Sequence, residues 1–283
     1  MPWNDSLFYA VFLGQIFLLS WYFPEKIHAR MKYVLATYPP DAYPKLYPRP
    51  VEHYRIGHWV YRLINRLVLG LGLLILLALL FLVDHGSFAD DGYISEFWPA
   101  LYGFVQFIPL LVLEIGEFHQ FKQMRQANTT SRRTADLRRR TLLVYVSPTL
   151  FIAAVFLYLG AVLLLLHADE WGAAIWLTAG MLFMAGVGAF NLYGQKKDPH
   201  QSTEDRSRHI SAALHSVIYV SMALSVFYIM TALDQMFDLD YLDATMLSLY
   251  FQAIIWLSVG HMLRSIRLED LNFEVYRADP AAT

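Results

Sequence analysis

There is no cysteine among the 283 residues. That excludes disulfides, thiolate metal ligands and a cysteine nucleophile, and it leaves the redox compartment unmarked. Charge is scarce as well. Asp, Glu, Lys and Arg make up 16% of the chain, where a soluble domain has about 25%. Hydrophobic residues reach 57% and the mean hydropathy is +0.37. The surplus of apolar side chains reads as a lipid-facing surface. The net charge of -2 matters less than where the charges sit. Met1 to Asp5 lack a basic n-region, and no small-residue cleavage site follows the first apolar run. That run is therefore expected to stay in the protein as a helix.

Lys and Arg are missing from seven apolar stretches, at about 7–23, 67–83, 97–115, 142–166, 171–193, 212–233 and 244–263. A bilayer core needs roughly 20 apolar residues in a helix, and backbone groups in lipid must be satisfied within the segment. The fold expected is all-α: a single polytopic bundle of about seven transmembrane helices. Pro99, Pro109 and Glu114 interrupt the third of them.

All 22 Lys and Arg lie in the connections 24–66, 116–141 and 194–211 and in the tail 264–283. The alternate connections hold none and are acidic, with Asp84, Asp90, Asp91 and Glu96, then Asp169 and Glu170, then Asp234, Asp238, Asp240 and Asp243. Basic residues favour the cytoplasmic side, so the N-terminus is expected outside and the C-terminus in the cytoplasm. The membrane expected is a bacterial inner membrane.

Ile27, Met31, Val34 and Leu35 recur at helical spacing, so the first helix either continues past the membrane or is followed by a surface helix. Tyr38–Pro50 contains five prolines, which forbid a helix and favour an extended, PPII-like path. It is a stiff connector or a docking site for a protein partner. Pro50 is placed to start a helix running from Val51 through Val83. Arg132–Arg140 is a topology signal or a patch for anionic lipid. Ser202 three residues before Asp205 resembles a capping box, so the sixth helix is expected to begin before the membrane.

Ionisable residues inside a membrane are costly and mark candidate sites. Tyr102, Gln106, Glu114, Glu117 and Gln120 share one face of the third helix, which is expected to point into the bundle. Tyr241, Thr245, Ser248 and Gln252 form a stripe on the seventh. Asn191, His215 and His261 lie at the same depth as Glu114 and Glu117. The candidate cluster is Glu114, Glu117, Asn191, His215, His261, Gln106 and Gln252, converging on a cavity open to the cytoplasm. Gln15 is polar too, with no partner that the sequence identifies.

No His-Glu-x-x-His, no pair of Glu-x-x-His motifs of the di-iron type, no Gly-x-Ser-x-Gly elbow and no phosphate loop is present. Seven helices with an outside N-terminus resemble the rhodopsins in topology, but the seventh helix has no Lys to form a retinal Schiff base. No cofactor is expected, and neither catalytic residues nor metal ligands can be assigned. The function expected is small-solute or proton-linked transport. The alternatives are a sensory, scaffold or assembly subunit of a membrane complex, and an intramembrane enzyme acting on a lipid or quinone. Expected partners are the lipid bilayer and a second copy of the chain, with no nucleic acid.

Overall fold

The computed structural model describes residues 3–82, 89–90, 93–128, 141–194 and 198–278. The helices are α1 (Trp3–Phe17), α2 (Phe23–Thr37), α3 (Val51–Leu82), α4 (Phe97–Ala127), α5 (Leu142–Tyr145), α6 (Pro148–His167), α7 (Trp171–Tyr193), α8 (Thr203–Phe237), α9 (Asp243–Ile255) and α10 (His261–Ser265). A two-residue antiparallel pair, β1 (Ala89–Asp90) with β2 (Tyr93–Ile94), precedes α4.

Seven helical units are long and apolar enough to cross a membrane: Ser6–Thr37, Val51–Phe81, Phe97–Ala127, Pro148–His167, Trp171–Tyr193, Thr203–Phe237 and Asp240–Ser265. The chain is a multi-pass membrane protein. Phe81, Phe156, Trp176 and Leu182 stand on its outer surface, 70% or more exposed. In water such side chains would be a liability. In a bilayer they face a solvent as apolar as themselves.

Two of these units carry an internal widened turn. α1 passes into α2 through a π-helical turn at Leu18–Tyr22, and α9 passes into α10 through another at Trp256–Gly260. The first is followed at once by Pro24. A proline inside a helix has no N–H to donate and crowds the carbonyl four residues back. The wider turn relieves both, so the first helix runs on to Thr37 rather than stopping at the proline. The two turns meet: Phe23 packs edge-on against Trp256, with ring centroids 5.9 Å apart, and its ring sits where a Cβ on Gly260 would come within 3.2 Å.

The helices pack as a unit of four and a unit of three. α1, α3, α4 and α9 surround a core of Phe8, Phe12, Ile16, Leu79 and Tyr102. α6, α7 and α8 surround Ala161, Leu165, Leu177 and Ala232. α8 against α9 forms the seam, where Phe227 and Tyr250 pack with centroids 4.7 Å apart.

The fourth apolar stretch does not run unbroken from Leu142. α5 ends at Tyr145, Val146 is extended, and α6 begins at Pro148. Ser147 caps α6 by accepting from the Leu150 N–H at 3.3 Å, and Pro148 occupies the first turn, where its missing donor is harmless. Ser202 is the N-cap of α8, but the expected capping box is only half formed, because the Asp205 carboxylate bonds the Ser202 hydroxyl rather than the Ser202 N–H. The Ser202 hydroxyl accepts from the Asp205 N–H at 3.1 Å and donates to its carboxylate at 2.7 Å. α8 thus starts nine residues before the apolar run at 212.

Tyr38–Pro50 is a chain of turns rather than the extended, PPII-like path expected. Pro39 O accepts from the N–H groups of Ala42 and Tyr43, and Pro44 O accepts from Tyr47 N–H. The strap closes over the end of the bundle where the Lys- and Arg-bearing connections gather, called the basic end below. Tyr38 stacks on Phe273 at 3.9 Å, and Lys45 N–H donates to Tyr276 O. Burial pushes the Tyr47 phenol up to about 12. Arg132–Arg140 lies outside the described residues.

The tail after α10 is pinned in turn. Tyr276 OH donates to the buried Asp198 carboxylate, and Asn272 N–H donates to Asp205. Burial, then the negative charge of Asp198, hold the Tyr276 phenol above its usual range. A phenol whose pKa is raised by folding contributes stability that is whole below about pH 10 and fades as the pH climbs past it. The melting temperature is therefore expected to fall above about pH 10, and to fall less in Tyr276→Phe. Equal declines in the two proteins would refute this.

Candidate functional site

Four buried polar side chains meet inside the four-helix unit. Gln15 of α1, Ser20 of the first π-turn, and Tyr102 and Gln106 of α4 are each no more than 3% exposed. Gln15 Nε2 donates to Gln106 Oε1 at 3.0 Å. Gln106 Nε2 donates to Gln15 O at 3.2 Å and to Ser20 Oγ at 2.9 Å. Ser20 Oγ lies 2.9 Å from Tyr102 OH, which donates to Val68 O of α3 at 3.1 Å.

The direction of the chain follows from donor counting. Tyr102 has one proton, and a backbone carbonyl can only accept, so that proton goes to Val68. Ser20 must then donate to Tyr102 and accept from Gln106. The network runs one way, from the Gln15 amide to the Val68 carbonyl. It ties α1, α3 and α4 together through side chains that are all buried. One atom is left over: Gln15 Oε1 is buried without a partner.

Gln252 of α9 extends the polar region. Its Nε2 donates to Val11 O at 2.9 Å, and its Oε1 would lie 3.1 Å from a Cβ on Gly14, beside Gln15. Gly14 is the reason the long amide fits there. Ser248, one turn of α9 away, is fully buried and its hydroxyl has no partner.

On the basic side of this network is a cavity of about 220 Å³, whose walls include Ser20, Glu25, His28, Tyr61, Arg62 and Asn65. Arg62 Nε is 3.4 Å from Glu25, and His28 Nδ1 is 3.9 Å from the same carboxylate. The His58 ring lies 6.3 Å from His28. Tyr61 is 2% exposed and its hydroxyl is unpartnered. Tyr61 also lines a second cavity of about 520 Å³, walled by α2, the strap, α3 and α4, to which Arg30, Arg49, His53, Glu117 and Gln120 contribute. Tyr61 is the one residue common to the walls of both cavities.

The seven residues singled out from the sequence do not gather in one place. Gln106 is in the network and Gln252 beside it. Glu117 lines the larger cavity. Glu114 is exposed on α4, next to exposed Leu111 and Ile115, rather than turned into the bundle. One helical face of α4 thus passes from buried at Tyr102 and Gln106 to exposed at Glu114. Asn191 bonds back to Val187 O of its own helix at 3.0 Å. His215 and His261 face each other across the seam, with centroids 5.8 Å apart and Tyr219 against His261 at 5.2 Å. His215 Nδ1 donates to Ser211 O at 2.8 Å, which fixes that tautomer.

Ser20, Asn65, Tyr61, Glu25 and His28 were not among those seven. One sequence signal was available for two of them: Glu25 and His28 are three apart, so they share a helix face. Comparison of the chain with protein-family models, with curated proteins and with solved structures found no match to any of them.

Proposed function

We propose that the four-helix unit transports a small polar solute, and that the Gln15–Gln106–Ser20–Tyr102 network is the closed gate behind a solute cavity. The observation that carries this reading is that Ser20 belongs to both: it lines the 220 Å³ chamber and is a link in the hydrogen-bonded chain that shuts it. Glu25 and His28 supply a protonatable pair at the chamber wall, so proton coupling is part of the proposal. By the partition of Lys and Arg, the chamber opens to the cytoplasm of a bacterial inner membrane.

Gating is supported by the two facing π-turns, since such turns concentrate where helices must move or carry function. It is also supported by the orphaned oxygen of Gln15, a group that gains a partner only when the arrangement changes.

The absence of native cysteine makes the test direct. Asn65→Cys is placed in the chamber and labelled with a membrane-impermeant maleimide in vesicles of known orientation. Labelling from the basic side is expected to be fast and from the acidic side slow. Adding Gln106→Ala is expected to raise the acidic-side rate about tenfold, the effect of removing roughly 1–2 kcal/mol of buried hydrogen bonding from the closed state. Acidic-side labelling that stays absent in both proteins would sink the gate.

A further inference from the structure

At the opposite end of the bundle the chain makes a sharp turn. α8 ends at Phe237, and Asp238 takes a left-handed conformation with φ 53°, one that Asp tolerates better than most residues. Leu239 N–H donates back to Asp234 O at 3.2 Å. The reversal swings Asp240 and the first residue of α9, Asp243, over the end of α8. One carboxylate oxygen from each of Asp234, Asp240 and Asp243 then lies within 4.8 Å of the others. Glu96 is near enough to act on both Asp234 and Asp243.

Three negative groups in one place do not make a site. Two further facts do. Asp234 is 1% exposed, and its Oδ1 is buried with no hydrogen-bond partner, while its carboxyl group as a whole pairs with that of Asp243. A buried carboxylate oxygen without a donor is a large penalty unless a cation or a proton neutralises it. The second fact is the sequence's own. The connections at this end of the bundle, 84–96, 168–170 and 234–243, contain no Lys or Arg. No Lys or Arg of these connections is there to supply the countercharge, and the basic side chains they hold or adjoin are His85 and His167.

We propose that Asp234, Asp240 and Asp243 bind a divalent cation at the acidic end of the bundle, with Ca²⁺ the best fit. Carboxylate oxygens alone select a hard metal. Two oxygens on one Ca²⁺ can stand up to about 5 Å apart, which accommodates the spacing seen. Ca²⁺ also tolerates the irregular set of ligands that a turn supplies, whereas Mg²⁺ demands a near-ideal octahedron and gives up its water reluctantly. The ion would join the end of α8 to the start of α9, the two helices of the seam. This site is independent of the gate, because it lies at the other end of the bundle and its readout uses neither the chamber nor labelling.

The test is a thermal melt of the full-length, chelator-stripped protein in detergent, titrated with CaCl₂ and followed by tryptophan fluorescence. A saturable rise in melting temperature, reversed by chelator, is expected at submillimolar to millimolar Ca²⁺, with a smaller response to Mg²⁺. Asp240→Asn removes one ligand from an exposed position and leaves the buried part intact, so the variant is expected to fold. Its half-saturating Ca²⁺ should be about tenfold higher. Asp243→Asn should behave in the same direction. No response in the wild-type protein would overturn the proposal and leave a shared proton as the neutralising charge. An identical Ca²⁺ titration in wild type, Asp240→Asn and Asp243→Asn would also overturn it, by showing that the cation binds elsewhere.

Discussion

Gly72→Ala is expected to destabilise the protein by about 3 kcal/mol, while Gly70→Ala, two residues away, is expected to be neutral or slightly stabilising. A Cβ on Gly72 would sit 2.1 Å from the hydroxyl of Tyr102 and 2.3 Å from its ring carbon. Tyr102 cannot swing aside, because it is fully buried and its hydroxyl is held by Val68 O and Ser20. The added methyl therefore drives the ring off both partners. Overpacking of about 1–3 kcal/mol adds to a similar amount for polar groups left unpaired. At Gly70 nothing lies within 4 Å of the added carbon. There alanine only improves helix propensity, by up to about 1 kcal/mol. Denaturation in mixed micelles measures both variants. If they lost stability equally, the close approach of α3 to Tyr102 would be wrong. Gly72→Ala should also loosen the gate, so the Asn65→Cys label should report it as it reports Gln106→Ala.

The second large effect is expected at Asp205. This residue is 5% exposed and has three tasks. It accepts from the Ser202 hydroxyl at 2.7 Å, it receives the Asn272 N–H of the tail at 3.1 Å, and its charge lies in the first turn of α8. Asp205→Ala removes two charge-assisted bonds and a favourable helix-end charge, together about 2–4 kcal/mol of local stability. The expected result is release of residues 268–277, seen as new tryptic cleavage at Arg267 and Arg277, with the membrane helices still intact. Ser202→Ala should cost only about 1 kcal/mol and leave the tail docked. A tail that stays protected in Asp205→Ala would show that Tyr276 and the strap suffice to hold it.

The helix count was legible because membrane insertion writes itself into composition. The alternation of basic and acidic connections marked each chain reversal independently of hydropathy. Ser202 and Asp205 were legible because a cap is a local device whose partners are three residues apart. The break before α6 was written in Ser147-Pro148, but the apolar run on either side hides it from any count of hydrophobic residues. The gate was half visible. Tyr102 and Gln106 are four apart and share a helix face. Gln15 and Ser20 are five apart, which on a regular α-helix puts them about 140° from each other. Only the wider π-turn brings them onto one side, and nothing in the residues themselves announces a π-turn. Asp234, Asp240 and Asp243 read from the sequence only as acids of one connection, because their convergence depends on the left-handed Asp238. Glu114 differs from the expected inward-facing position for another reason, being exposed on α4. Helical phase assigns a face, but it cannot say how far along the helix that face is covered.

A π-turn is a helix with one residue too many, and such a surplus is a movable defect. Sliding it one step along α1 and α2 breaks and remakes single hydrogen bonds and rotates the segment it passes by about 100°, with no unfolding of the helix. Because Phe23 is wedged between Trp256 and Gly260, the dislocation in the first helix cannot travel unless its counterpart in the last one yields. The first and seventh membrane helices therefore touch at their two irregular turns, and any change of pitch at Ser20 would press on Trp256 and Gly260 through the Phe23 ring.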